Sequence, residues 1–204
     1  MPARPLRLFV FARHAESAAN ARNVMSSDPS QPVALTDRGR DQARALGVQL
    51  ANVHLDLAVA TRFLRTQQTM DLAVGGRPVP VLIEPLFDEL RAGDLNGATM
   101  AAYWSWKHHH TADEHMPHGE SPNDALRRYA SALRRLLART EPVTLVVLHE
   151  MGLRHIAAAA APGGPRADSA EFGNAIPYLF DEHAVRRAAE MLEKGTRSPA
   201  PGTR

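Results

Sequence analysis

The chain contains no cysteine. That single absence excludes disulfide frameworks, thiolate zinc sites and a cysteine nucleophile. Lysine is nearly missing as well. Apart from Lys107 and Lys194, every cationic side chain is arginine, an excess that reads first as a coding bias. Formal net charge is only +2, and no block of five or six like charges occurs, so no nucleic-acid partner is expected. No apolar run approaches the ~18 residues of a membrane span. The run Leu8 to Ala12, preceded by Arg4 and Arg7, is shorter than the ~7–15 apolar residues of a secretory signal. These absences lead to the expectation of a cytoplasmic protein with no targeting segment and no membrane association.

What is present suffices for a core. A chain of 204 residues can bury roughly 70% of its unfolded surface without metal or cross-link. Hydrophobic residues at 44% and charged residues at 23% argue against disorder. One domain is expected over 1–194, with a lid insertion at about 92–120. The Pro-rich end, 195–204, reads as a disordered tail.

Strand and helix patterns alternate. Strands are expected at Leu6 to Ala12, Leu55 to Ala60, Val79 to Ile83, Val143 to Leu148 and Ala175 to Phe180. Helices are expected at Asp37 to Val53 behind the N-cap Thr36, and at Phe63 to Val74 closed by Gly75-Gly76. A third is expected from Thr99 to His108 inside the insertion. A fourth opens at Ser121-Pro122 with Asp124 three residues on and runs to about Arg139. Gly152 to Ala161, ended by Pro162-Gly163-Gly164-Pro165, and Glu182 to Lys194 complete the set. Residues 13–35 read as a polar loop. The alternation predicts a three-layer α/β/α sandwich with a mostly parallel central sheet. In such sheets ligands bind beyond the carboxyl ends of the strands.

Those ends carry Arg13-His14-Ala15-Glu16, Thr61-Arg62 with Arg65 one turn on, Asp88-Glu89, and His149-Glu150. A histidine pair suggests a metal, but arginine beside it would repel a divalent cation. Forked, charge-assisted guanidinium donors suit a tetrahedral oxyanion such as a phosphoryl group. Nearby cations also keep an imidazole neutral, and a neutral imidazole is a nucleophile.

These segments resemble the histidine phosphatase superfamily, the phosphoglycerate-mutase-like proteins of the branch 1 type. Leu8 to Ser17 is similar to the family's opening strand and Arg-His-Gly-Glu signature, and Asn20 to the asparagine that follows it. Leu35-Thr36-Asp37-Arg38-Gly39-Arg40-Asp41-Gln42-Ala43 resembles its Leu-Thr-x-x-Gly-x-x-Gln-Ala segment. Thr61 to Thr69 resembles Ser-x-Leu-x-Arg-Ala-x-x-Thr and places the second phosphate arginine at Arg65. Asp88 to Gly97 resembles the acidic segment, Gly119-Glu120-Ser121 a further motif, Val146 to Arg154 the second-histidine segment, and Phe172 to Ala175 the last asparagine-bearing stretch.

The resemblance implies a phosphomonoesterase acting on a small phosphorylated metabolite through a phosphohistidine, with neither cofactor nor metal. It implies His14 as nucleophile, and Arg13, Arg65 and His149 as phosphate ligands and transition-state stabilisers. Glu89 would be the general acid. A mutase, or a weak phosphoester-binding module, is the alternative. Asn20 either contacts phosphate or caps its loop. Arg62 reads as a solvent-facing helix-start arginine, Glu120-Ser121 as a cap more than a substrate contact, and Tyr103, Trp104 and Trp106 as lid packing more than a substrate platform. The histidines 108–110, 115 and 118 are not spaced for one ion. Two departures stand out. Ala15 replaces a glycine and is expected to tighten the phosphate pocket. Glu150-Met151 replaces a Gly-Gly pair. Glu150 either sits in the first turn of the next helix or faces the leaving group and repels a second anion there.

Overall fold

Phe9 and Phe11 point to one face of their strand, Val10 and Ala12 to the other, and all four are buried. That double burial is what a central strand of a covered sheet requires. In the computed structural model, which describes residues 7–162 and 172–196, this strand is β1 (Leu8–Arg13). It pairs with β4 (Val143–Leu148), which pairs with β2 (Leu57–Ala60), and β2 with β3 (Val81–Ile83), all in parallel. β5 (Pro177–Asp181) joins the other edge of β1 antiparallel, giving the order β3-β2-β4-β1-β5.

Seven helices flank the sheet among the described residues: α1 (Ala18–Ala21), α2 (Asp37–Gln49), α3 (Leu64–Val74), α4 (Met100–His109), α5 (Pro122–Ala138), α6 (Glu150–Ala160) and α7 (Glu182–Gly195). Helices α2 and α3 cover the Val10/Ala12 face, where Ala43, Leu46, Met70 and Ala73 meet Ala58, Ala60, Leu145 and Val147. Helices α5, α6 and α7 cover the Phe9/Phe11 face, where Tyr129, Leu133, Ile156 and Val185 meet Val59, Val146 and Leu148. The molecule is therefore a three-layer α/β/α sandwich with a mostly parallel sheet.

The expected elements all occur, with shifted ends. Gly75 closes α3 in the left-handed conformation, and Ser121 caps α5 through a reciprocal bond with Asp124. Helix α2 stops at Gln49, four residues early, and α6 starts at Glu150, two residues early. The polar loop after β1 holds α1, whose four residues are held by a Ser17/Asn20 capping box. Such a helix is too short to leave a periodic pattern. Two 3-10 turns, Pro85–Phe87 and Gly93–Leu95, shape the start of the insertion. Helix α7 runs on to Gly195, and Thr196 is buried as its cap, so the ordered chain enters the stretch expected as tail; residues 197–204 lie outside the described residues. So do Gly163 to Pro165 of the expected helix stop.

Because the four parallel strands run one way, α2, α3 and α5 descend and end where the next strand begins. Their unsatisfied C-terminal carbonyls collect at that end of the sheet. Arginines meet them. Arg7, just before β1, donates from Nη1 to the carbonyls of Leu136 and Arg139 and from Nη2 to that of Leu137, closing α5. Arg77 donates to the carbonyls of Leu50, Val53, Ala73 and Val74, tying the ends of α2 and α3. Arg187 donates twice to the carbonyl of Ala160 at the end of α6. Whatever its origin in coding, the arginine excess is used.

Candidate active site

At the opposite end, β1, β2 and β4 deliver Arg13-His14, Thr61 and His149 to one rim. His14 leaves the ladder directly after β1, its N–H donating to the carbonyl of Leu148 at 2.8 Å. The turn behind it is clamped by motif residues. Ala15 N–H donates to Thr69 Oγ1, Glu16 N–H to Gln42 Oε1, and Thr36 Oγ1 to the Glu16 carboxylate. Gly39 is required here: a Cβ on it would sit 2.0 Å from the carbonyl oxygen of Glu16. The signature glutamate thus anchors α2 and does not face the cavity.

His14 Nδ1 lies 2.7 Å from the carbonyl oxygen of Ala15, an acceptor only, so Nδ1 carries the proton. The lone pair is then on Nε2, where it accepts from Arg65 Nε at 3.1 Å. Arg65 reaches from the first turn of α3 and also donates from Nη2 to His149 Nδ1 at 3.1 Å and to the Ser26 carbonyl, and from Nη1 to Ser26 Oγ. One guanidinium therefore bridges two imidazoles whose centroids are 5.4 Å apart. Burial holds both histidines well below the usual value, and Arg65 pushes each the same way. Both imidazoles are neutral near pH 7. Burial also brings Arg65 down to about 10, still cationic at neutral pH.

His149 is fully buried, and its Nε2 lies 3.0 Å from Thr61 Oγ1. Thr61 Oγ1 in turn meets Thr66 Oγ1 at 2.9 Å. A hydroxyl can donate or accept, so Thr61 can pair with Nε2 in either tautomer; while Arg65 donates to Nδ1, the proton sits on Nε2 and Thr61 accepts it. Arg13 donates from Nη1 to the carbonyl of Phe172, while its buried Nε has no partner among the described residues.

Glu89 follows the Pro85–Phe87 turn. Its Oε1 accepts from the Leu90 N–H, and its Oε2 lies 3.8 Å from His149 Nδ1. Burial raises its pKa, against the pull of Arg65. The loop that carries it is fixed by Arg128, which donates to the carbonyls of Leu86, Asp88 and Glu89 and to Glu120 Oε1.

Arg13, His14, Asn20, Arg65, Glu89 and Glu150 line one cavity of about 520 Å³, with His149 immediately behind Arg65. Asn20 spends its Oδ1 on the Ser17 cap, and its amide nitrogen makes no bond among the described residues. Arg62 pairs with Asp88 outside this cavity, and Glu120 holds the Glu89 loop, so both are structural. Tyr103 and Trp104 line the cavity, whereas Trp106 stacks on His110. His115 pairs with Asp124 and His118 with Asp94, so the clustered histidines diverge.

One expectation requires correction. The methyl of Ala15 does not enter the cavity; it is fully buried in the core on the α2/α3 face. Glu150 takes both of its expected places: it sits in the first turn of α6 and lines the cavity, where it pairs with Arg154. Sequence reasoning missed Ser26 and Thr61 as partners of Arg65 and His149. Ser26 carried no spacing signal; Thr61, at a strand end, did.

The histidine phosphatase superfamily (branch 1) model matches residues 9–176. The adenosylcobalamin/alpha-ribazole phosphatase of Escherichia coli K12 is 34% identical over 104 residues, which span 51% of this chain and 45% of that protein. A 2,3-bisphosphoglycerate-dependent phosphoglycerate mutase of Methylobacterium radiotolerans is 32% identical over 169 residues, 72% of this chain and 76% of its own. Among solved structures, a putative alpha-ribazole-5'-P phosphatase from Escherichia coli superimposes with a TM-score of 0.74 at 25% identity, covering 87% of this chain and 91% of the other.

Proposed function

The chain belongs to the histidine phosphatase superfamily (branch 1), and from that premise we propose that it is a phosphomonoesterase that works through a phosphohistidine on His14. The observation that carries this reading is the state of His14: Nδ1 pinned to a carbonyl, Nε2 unprotonated, and a guanidinium holding that lone pair toward the cavity.

A phosphoryl group entering the cavity takes Arg13 and the Arg65 fork as ligands. Arg65 then releases Nε2, which attacks phosphorus in line. The P–O bond to the leaving group breaks, and the protonated carboxyl of Glu89 gives its proton to the departing oxygen. His149, turned to its Nδ1–H tautomer with Thr61 donating to Nε2, stabilises the equatorial oxygens as charge shifts. In the second half, Glu89 takes a proton from water, the water oxygen attacks phosphorus, and the P–N bond breaks. Glu89 is protonated again at the end, so the cycle balances. The two arginines supply the positive charge, so the reaction runs without a metal ion.

Rapid quench with labelled substrate in the presence of EDTA tests this. Label is expected in an acid-labile, base-stable form on wild type and absent from His14→Ala. Label persisting in the alanine variant overturns the assignment. The mutase relatives favour a second reading, in which the phosphoryl group returns to a hydroxyl of the bound alcohol. Phosphate released in equal amount to alcohol identifies hydrolysis; retained phosphoester with shifted position identifies transfer.

A further inference from the structure

Beyond the phosphate corner the cavity runs between α4 and α6. Its wall there is Met100, Tyr103 and Trp104 from α4 and Met151 from α6. Thioether and aromatic groups of this kind accept planar or apolar surface. Lys107, one turn past Trp104, also lines the cavity and is exposed. It makes no hydrogen bond or ion pair among the described residues; its Nζ lies 4.9 Å over the Trp104 ring. That contact orients an ammonium without neutralising it.

The charges of the cavity can be assigned by role. Arg13 and Arg65 stand against a phosphomonoester dianion. Arg154 is matched by Glu150. Glu89 must be protonated to act as an acid. Lys107 shares the field of Glu150 and Arg154, and two cations against one carboxylate leave one positive charge in excess there. A cavity of about 520 Å³ also falls in the range that encloses a drug-sized ligand, far more than a phosphoryl group needs.

We infer that the substrate carries a second anionic group on its leaving-group side, held by Lys107 and joined to the transferred phosphoryl group by an apolar or aromatic linker lying along Met100, Tyr103, Trp104 and Met151. This rests on the phosphomonoesterase reading and replaces the expectation that Glu150 excludes such groups.

The test uses phenyl phosphates bearing a para carboxyalkyl chain of increasing length, each paired with its carboxamide. Acid and amide have phenols of nearly equal acidity, so their kcat/KM ratio reports the charge alone. For at least one chain length, wild type should favour the acid by about tenfold, a difference of about 1.4 kcal/mol. The ratio should fall to near one in Lys107→Met, recover in Lys107→Arg, and shrink with added salt. Equal turnover of acid and amide at every chain length, or a ratio unchanged in Lys107→Met, overturns the inference. Turnover of neither member points instead at the hydrolase reading. The same pairs titrated calorimetrically into His14→Ala then report whether Lys107 selects the anion.

Discussion

Arginines work at both ends of this sheet, and they do opposite things. At the carboxyl ends of the strands, Arg13 and Arg65 each give a bond to one chain carbonyl but keep other donors uncommitted: a buried Nε of Arg13 has no acceptor among the described residues, and the Arg65 guanidinium leans on two imidazole lone pairs. At the other end, Arg7, Arg77 and Arg187 donate to carbonyls at helix ends, with Arg7 Nε on Glu182. The residue is the same; the share of donors given to fixed partners differs. Carbonyls of the chain on several donors at once turn a guanidinium into a fastener. Lone pairs that a ligand can displace leave it able to act as a receptor. Charge counts and composition do not separate the two roles, but the full set of acceptors does.

The sharpest way to break this comparison is Arg65→Ala. Two transition-state donors are lost together, each worth about 10²–10³ in rate, so kcat/KM should fall by roughly 10⁴ or more while the melting temperature holds. A loss confined to stability would put Arg65 among the fasteners. Glu89→Gln should follow, slowing alkyl phosphates by roughly 10²–10⁴ and nitrophenyl phosphate much less, because a phenolate leaves without a proton. The acid form is the active one, and burial raises its pKa, so wild-type kcat/KM should decline as pH rises through that value. The decline should vanish in Glu89→Gln; an alkaline limb that survives assigns the titration elsewhere.

At the far end the effects should reverse. Arg7→Met leaves three carbonyls and Glu182 without this guanidinium. A loss of about 3 kcal/mol is expected, near the lower end for breaking a buried charged pair, with turnover per folded molecule unchanged. Denaturant titration alongside active-site counting checks it; reduced turnover in the folded fraction would join the two ends. The smallest effect sharpens the boundary of the site. Ala15→Gly should cost about 1 kcal/mol of stability or less and leave KM unchanged, since the methyl faces the core. A lowered KM would return Ala15 to the phosphate pocket.

The order of strands and helices was legible because buried runs and caps are local. Val143 to Leu148 reads as a strand from its own residues, and Ser121 with Asp124 declares a helix start. The direction of β5 was not legible: its run of residues looks the same either way, and the chain enters it from the Arg13 end of β1, where Asn174 bridges Arg13. The site was legible where chemistry sits at strand ends, as with His14 and His149. Ser26 escaped because it meets Arg65 across 39 positions of chain. The facing of Ala15 escaped because backbone torsions, which no residue type reveals, decide which side a methyl takes. Glu150 was located correctly, and Arg154 one turn on was visible, but their pairing depends on rotamers settled by packing.

The bridge from Arg65 to both histidines has a consequence for how the molecule lets go. In the proposed cycle an anion displaces these partners, and on its departure they close behind it. Binding there is an exchange that keeps Arg65 partnered at either end. On that reading, affinity for free phosphate is held down by the competing imidazoles, while the charge that shifts during transfer meets the full guanidinium. A tight grip at the summit of the barrier and a loose one on the product would then come from the same side chain.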